Sequence, residues 1–299
     1  MLPSCRLLVL IGIAGAALGC ADAFGNEVRG SVVFTTWGEE YIEQEIPAAP
    51  PAEEGLADGW TVRYSKFLLV IRNLVVANEQ GKEAARMAGS GLFDLRAGGE
   101  QSVATFSELP AQAWTQVSYQ IGPAGQDTTV GGAATEEDLA TFRSEGLSVH
   151  VIGTASKAPL EKRFDWKFSG TTLYRNCKAE LDGKETHGVI VTNGGTDTVQ
   201  LTMHGDHFFY DDLEASTAKR RFTAIACADA DEDGEVTLDE LARASLLPDL
   251  NSQQADCRGR PVYRPGSQSV NDLRAFVTAL SRTVGHFRGE GECVSIKLE

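Results

Sequence analysis

The chain has 299 residues with 27 basic and 42 acidic side chains, so its formal net charge is −15 at pH 7. Nucleic-acid recognition begins with a basic patch, and this charge balance argues against nucleic acid as a partner. It also disfavours adsorption of the folded protein onto anionic lipid. Hydrophobic residues make up 42% of the chain, which is ample for one large domain or two smaller ones.

The first residues have the pattern of an export signal. Arg6 precedes an apolar run over residues 7–19, which is too short to span a bilayer. The run ends in Ala-Leu-Gly-Cys at residues 17–20, which resembles the lipobox of bacterial lipoproteins. The resemblance implies removal of residues 1–19, lipidation of Cys20 and attachment to a membrane of the bacterial cell envelope. Cleavage after Ala23 is the alternative, and it would leave a soluble periplasmic or secreted protein.

Four cysteines follow this segment, and an even number in an oxidising compartment favours two disulfides. They are Cys177, Cys227, Cys257 and Cys293. We favour Cys227–Cys257, which would close a loop around an acidic motif, and Cys177–Cys293, which would tie the C-terminal tail to the preceding domain. Four cysteines allow three pairings, and the sequence alone does not choose among them. No CxxC pair occurs, which argues against a zinc cluster.

Six segments between residues 26 and 212 are rich in Val, Ile, Thr, Phe and Tyr and are separated by Gly, Pro, Asn and Asp, which is typical of strands and turns. They cover residues 28–37, 60–77, 116–121, 147–156, 162–174 and 189–204. A short helix is expected at residues 135–144, where Thr135 and Asp138 have capping spacing. Strands without long intervening helices indicate an antiparallel β-sandwich over residues 20–212.

A twelve-residue segment near the C-terminal end places oxygen-bearing residues at alternating positions. Calcium takes six to eight oxygen ligands, which a tight loop supplies from positions one, three, five, seven, nine and twelve, with glycine at position six. Gly234 is at position six, and the ligand positions hold Asp229, Asp231, Asp233, Glu235 through its carbonyl, Thr237 and Glu240. The segment resembles an EF-hand loop, and the resemblance implies Ca²⁺ binding between two helices. An acidic surface turn is the alternative interpretation.

The rest of the C-terminal sequence predicts a small helical module, an EF-hand domain over residues 213–299. Helices are expected at residues 216–226 and 238–247, on either side of the loop. A third is expected after Ser269, where Asp272 completes a capping pattern and an apolar stripe follows. EF-hand loops usually come in pairs, and no second loop is present, so this helix is expected to pack in place of a second hand. The whole chain is predicted to be mostly β with a small α module.

A second group of candidate ligands lies where the two parts meet. His204, Asp206 and His207 offer two imidazoles and a carboxylate within four residues, and imidazole suits zinc and copper. In an extended strand the two histidines would face opposite sides, so a metal site requires a turn at Gly205. The alternative is a strand end whose polar side chains cap a hairpin. A fourth ligand is missing here, and three upstream glutamates would supply it only if the fold brings them near: Glu39, Glu40 and Glu43.

Enzyme signatures are sparse: the chain has no HExxH, no GxSxG and no Walker loop, and no residue is selected as catalytic. His150 lies inside an expected strand, which favours a core or surface histidine over a base. His187 lies in an expected loop, and His286 has no visible partner in the sequence. Two functions are therefore predicted. The first is an exported, lipid-anchored calcium-binding protein in which calcium is mainly structural. The alternative is a metal-handling protein or metalloenzyme that uses His204, Asp206 and His207. No protein partner is indicated.

Overall fold

A computed structural model describes residues 28–50 and 54–299, and this part of the chain is mostly β-structure. The expected signal peptide and Cys20 lie outside it. Its strands are β1 Arg29–Gly38, β2 Thr61–Ala77, β3 Glu83–Arg86, β4 Ser90–Asp94, β5 Gln101–Pro110, β6 Ala113–Trp114, β7 Gln116–Ile121, β8 Thr128–Val130, β9 Val149–Lys157, β10 Leu160–Phe168, β11 Thr171–Leu181, β12 Lys184–His187, β13 Val189–Ile190, β14 Thr196–Met203 and β15 Glu292–Leu298. Its α-helices are α1 Glu40–Glu43, α2 Glu136–Glu145, α3 Thr223–Ala226, α4 Leu238–Leu241, α5 Ala255–Arg258 and α6 Leu273–Leu280.

Most strands belong to two sheets. The larger sheet has the order β10-β9-β2-β7-β11-β12, and β15 pairs with β11. In the smaller sheet, β1 lies between β14 and β5. The β-rich prediction is confirmed, but the wholly antiparallel prediction is wrong, because β1 runs parallel to β14 and β4 runs parallel to β8. Residue-type patterns identify strands without giving the direction in which distant strands meet.

The predicted ends of β2, β7 and β9 lie within two residues of the observed ends. The expected strand at residues 162–174 is split between β10 and β11, and the one at residues 189–204 is split between β13 and β14. Strands β3 to β5 were not expected. The signal is weak in β5 because only two of its ten residues are buried and its apolar residues do not alternate regularly.

The helices are few and short in the part of the chain that the structure describes. Helix α2 begins at the expected Thr135–Asp138 capping box, which is formed in both directions. Beside the acidic loop, α3 and α4 have only four residues each, so the helices expected over residues 216–226 and 238–247 are shorter than predicted. The residues before α3 form backbone hydrogen bonds with an earlier segment instead of a helix: the Arg221 N–H donates to the Phe209 carbonyl. No helix in the described residues has the length and apolar character needed to cross a bilayer.

One hydrophobic core joins the sheets to the C-terminal segment. Phe164 and Trp166 of β10 pack against Phe208, Phe209 and Phe222, which come from either side of the expected boundary at residue 212. The C-terminal helices therefore pack on the sheets and contribute to the same core.

Two disulfides fasten this arrangement. Cys177 on β11 is bonded to Cys293 on β15, and Cys227 after α3 is bonded to Cys257 in α5. These are the two pairs favoured from the sequence. Disulfides persist in oxidising compartments, so they indicate an exported protein.

Candidate metal sites

Three histidines meet beyond the end of β14. His204 follows β14 directly, and His207 lies in a 3₁₀ helix, Gly205–Phe209. His286 reaches them because residues 284–286 run along the edge of β14: His204 N–H donates to the Val284 carbonyl and His286 N–H donates to the Thr202 carbonyl, both at 2.8 Å. The ring centroids lie 4.1 Å apart for His204 and His286, 5.4 Å for His204 and His207, and 5.0 Å for His207 and His286.

The turn that this cluster requires is built around Gly205. A Cβ atom at Gly205 would lie 2.6 Å from Ile42 Cγ1 and 2.9 Å from the ring of Tyr64, so only glycine fits. The Tyr64 hydroxyl donates to the Gly205 carbonyl at 2.6 Å. The turn brings His207 to the same side as His204, where an extended strand would have separated them.

Each of the three rings has a nitrogen that is free to bind a ligand. The Thr283 hydroxyl donates its proton to the Leu280 carbonyl at 2.9 Å, so the 3.0 Å contact between Thr283 and His207 Nδ1 requires Nδ1–H as the donor. This tautomer leaves the Nε2 lone pair of His207 free. His204 Nε2 and His286 Nδ1 are buried without any hydrogen-bond partner. One ligand atom from each histidine lies within 4.8 Å of the others.

Burial keeps two of these rings neutral at pH 7. Desolvation lowers the pKa of His207 to about 4, with a further lowering by His204 that Asp206 opposes. Desolvation, together with His204 and His207, lowers the pKa of His286 to about 3. Metals bind the neutral imidazole, so protons compete weakly for these nitrogens near neutral pH.

Two carboxyl groups and an arginine border the cluster. Because β1 and β14 are parallel, Glu39 at the end of β1 lies beside His204, with 3.8 Å between Glu39 Oε2 and His204 Nδ1. Burial, and then the neighbouring Asp206, raise the pKa of Glu39 to about 9. Asp206 is ion-paired with Arg220 through a 2.5 Å Nε–Oδ2 contact in which the N–H is not aligned with the oxygen. The other oxygen of Asp206, Oδ1, is buried without a hydrogen-bond partner, and Glu39, His204 and Asp206 each offer a ligand atom within 4.8 Å of the others.

Glu39 alone of the three glutamates considered as a fourth ligand is near the histidines. Glu40 is exposed, and Glu43 accepts hydrogen bonds from Trp37 and Gly99. His286 is a candidate ligand that the sequence did not indicate. No local pattern marks it, since its position depends on the backbone pairing of residues 284–286 with β14.

Two cavities reach the cluster. One has a volume of about 230 Å³ and is lined by His207, His286, Tyr174 and Cys293, among others. The other, of about 630 Å³, is lined by His207, Tyr210 and Arg220. Both cavities therefore adjoin His207, and one of them also adjoins His286.

The acidic loop is closed by hydrogen bonds from its own backbone. Gly234 has a φ of +83°, and its N–H donates to Asp229 Oδ2 at 3.1 Å. The N–H of Asp233 donates to Asp231, and the N–H of Glu235 donates to Asp233. These bonds wrap the loop around its own carboxylates.

Three of the predicted calcium ligands come together in this loop. Asp229, Asp231 and Glu240 each offer an oxygen within 4.8 Å of the others, whereas Asp233 is exposed and outside this group. The Thr237 hydroxyl bonds to Glu240 and caps α4. Asp229 Oδ1 is buried and has no hydrogen-bond partner, so it is available to a cation.

Both buried carboxyls of the loop are held in their charged form. Burial acts to raise the pKa of Asp229, but Lys162 and the Gly234 N–H outweigh it and hold the pKa below its usual value. Burial also acts to raise the pKa of Glu240, and hydrogen bonds from Thr237 and Ala230 hold it low. Carboxylates bind calcium in this ionised form, beside neutral carbonyl and water oxygens.

No family model matches this chain, and searches of the curated proteins and of the solved structures found no match. Function is therefore inferred from the geometry of the two sites.

Proposed function

We propose that this protein is an exported metal-binding protein that holds zinc or copper at His204, His207 and His286 and calcium in the loop at residues 229–240. The single observation that carries the transition-metal function is the convergence of three imidazoles with free nitrogens. Buried polar atoms without hydrogen-bond partners are rare, and an ion would satisfy them. Imidazole is a ligand that suits both zinc and copper.

The groups around the histidines support a metal site. Histidines that bind metals use their second nitrogen to donate to a carboxylate, a carbonyl or a water, which fixes the ring and its tautomer. The Thr283 hydroxyl oxygen accepts from His207 Nδ1–H and fixes that ring, and Glu39 lies on the Nδ1 side of His204. Three protein ligands leave a fourth position for a small molecule, and the adjoining cavities give access to it. The residues support metal handling, and no group is assigned a catalytic role.

Calcium has a structural role in this proposal. The loop lies between Cys227 and Cys257, whose disulfide encloses it, and its carboxylates Asp229 and Glu240 are ionised and buried. Calcium that binds only the folded protein stabilises it, and the gain in stability grows with the logarithm of the calcium concentration once that concentration exceeds the dissociation constant. An isolated hand of this kind is expected to have an extracellular-type dissociation constant of about 10⁻⁴ to 10⁻³ M.

Attachment of the exported protein to a membrane through lipid on Cys20 is part of the same proposal. Mass spectrometry of the mature N-terminus tests it: a lipidated Cys20 is expected, and Cys20→Ser should block lipid attachment. An unmodified terminus at Phe24 in the wild type would refute the anchor and leave a soluble exported protein.

Metal analysis of the purified protein tests the two sites together. After exchange into chelated buffer, the protein is titrated separately with Zn²⁺, Cu²⁺, Cu⁺ and Ca²⁺, and the metal bound per chain is measured. One zinc or copper ion and one calcium ion per chain are expected. Binding of calcium without stoichiometric zinc or copper would leave a purely calcium-binding protein and refute the histidine site.

A further inference from the structure

The calcium loop is bonded to the free edge of the larger sheet. Strand β10 is an edge strand of this sheet, and Arg163 on it donates its N–H to the Gly234 carbonyl and accepts from Val236 N–H, both at 2.8 Å. The indole N–H of Trp166 donates to the Val236 carbonyl, also at 2.8 Å. The middle of the loop therefore pairs with β10. Helix α6, which was expected to pack in place of a second hand, lies beside α4: Leu273 N–H donates to the Ala244 carbonyl and Arg274 contacts Asp239.

The residue before Arg163 adds a charge to this contact. The ammonium of Lys162 contacts Asp229 Oδ2, and the two side chains are 15% and 0% exposed. The Gly234 N–H binds the same oxygen, so both donors lie on Oδ2 and Oδ1 is left without a partner. Lys162 therefore binds the first calcium ligand without using its free oxygen.

A partly buried ammonium at this position has opposite effects on the two states of the loop. Without calcium, the loop holds several carboxylates close together, and Lys162 offsets part of their repulsion. With calcium, the same ammonium is a like charge next to a divalent cation. Salt screens buried pairs much less than exposed ones, so both effects persist at physiological ionic strength.

We propose that Lys162 is a fixed counter-cation of the calcium loop, which keeps the loop folded without calcium and lowers its affinity for calcium. This inference rests on the proposed calcium site and adds a residue from outside the motif that sets its affinity. A loop of this kind would remain attached to β10 at low calcium concentration. Calcium would then add stability without being needed for folding.

The test compares two lysines of the same strand in the full mature chain. Lys162→Met removes the counter-cation, and Lys167→Met is the matched control, since Lys167 is paired with Glu145 at 3.0 Å, outside the loop. Calorimetric titration with Ca²⁺ should show about tenfold tighter binding for Lys162→Met, the size expected for loss of a nearby unit charge at high effective dielectric. The melting temperature of Lys162→Met in chelator should be lower than that of the wild type. Lys167→Met should leave the calcium affinity unchanged.

A second variant distinguishes the effect of the Lys162 charge from that of its hydrogen bond. It also provides a test if Lys162→Met folds poorly. Lys162→Gln keeps a donor near Asp229 without the charge and should also bind calcium more tightly. If both variants bind calcium with wild-type affinity or more weakly, the counter-cation role is wrong although the calcium site stands. If the wild-type protein binds no calcium in the same titration, the calcium site itself is wrong and the inference fails with it.

Discussion

The proposed calcium loop and the proposed histidine centre bring their candidate ligands together in different ways. The loop takes its carboxylates from twelve consecutive residues and is shaped by its own backbone hydrogen bonds, such as that from Gly234 to Asp229. The histidine centre joins residues 204–207 to His286 and depends on backbone pairing between β14 and a distant segment. The loop carboxyls are charged, whereas His207 and His286 are neutral at pH 7. The first site should therefore tolerate changes in the tertiary structure that the second does not.

Removing a disulfide should give the largest loss of stability, and it tests the difference between the two sites. Cys177 and Cys293 are 116 residues apart, and Cys227 and Cys257 are 30 residues apart. Loop-closure entropy gives about 5 kcal/mol for the first bridge and about 3.5 kcal/mol for the second. Replacing each pair by serine should lower the free energy of unfolding, measured by urea denaturation, in this order.

The same variants should affect the two sites unequally. Cys293 lines a cavity with His207 and His286, so its loss should weaken zinc or copper binding more than calcium binding. Loss of the Cys227–Cys257 bridge, which encloses the calcium loop, should do the reverse. Equal losses at both sites in both variants would contradict the comparison. In the wild type, purified without reductant, a thiol assay should find no free thiols in the mature protein.

Removing one histidine should abolish zinc or copper binding at the histidine centre and leave the calcium loop intact. His286→Ala is expected to weaken zinc or copper binding by about 1,000-fold or more, which corresponds to about 4 kcal/mol. His150→Ala is the matched control, because His150 is paired with Asp165 on the neighbouring strand. Calcium affinity should be unchanged in both variants. Metal affinity that is the same in His286→Ala and His150→Ala would remove His286 from the site.

The converse change should affect only the calcium loop. Glu240→Gln removes a buried carboxylate and should weaken calcium binding by about 100-fold, about 2.7 kcal/mol. The calcium-induced rise in melting temperature should be lost with it. Glu232→Gln is the control, since Glu232 is an exposed glutamate of the same loop outside the ligand positions. Calorimetry in which Glu240→Gln responds to calcium as the wild type does would refute the loop as the calcium site.

The smallest expected effect concerns pH. In the metal-free protein, the lowered pKa values of His207 and His286 mean that the unfolded chain takes up protons first as the pH falls below about 6.5. Their contribution to stability is complete above that pH and is lost progressively toward pH 4 and 3. Relative to a His207→Gln/His286→Gln variant, the wild type should lose about 1–2 kcal/mol between pH 7.5 and pH 5.5, because one pKa unit is worth about 1.4 kcal/mol and half-buried groups are partly screened.

Glu39 acts in the opposite sense over the same range. The pKa of Glu39 is raised to about 9, so Glu39 contributes to the stability of the folded protein at low pH. This contribution is lost as the pH rises above the ordinary pKa of a glutamate. Glu39 is present in both proteins, so its contribution cancels in the comparison. Urea denaturation in chelator at several pH values measures the difference, and parallel curves for the two proteins would show that the histidines are not held neutral by burial.

Local spacing was enough to predict several features that the structure contains. The alternation of residue types located β2, β7 and β9, and the spacing of Thr135 and Asp138 located the start of α2. The acidic loop was predicted as a turn around Gly234, and its backbone bonds form that turn. These features depend on residues a few positions apart, whose types and spacing can be read directly from the chain.

The sequence by itself determined the acidic loop and the residues available for a core, because each follows from residue types and their spacing. Only the tertiary structure decided that His286 joins His204 and His207, that β14 runs parallel to β1, and that Lys162 reaches Asp229. Each of these features depends on contacts between segments that are far apart in the sequence. These long-range contacts are stabilised by the packing of the whole core. They therefore cannot be predicted from a short segment of sequence.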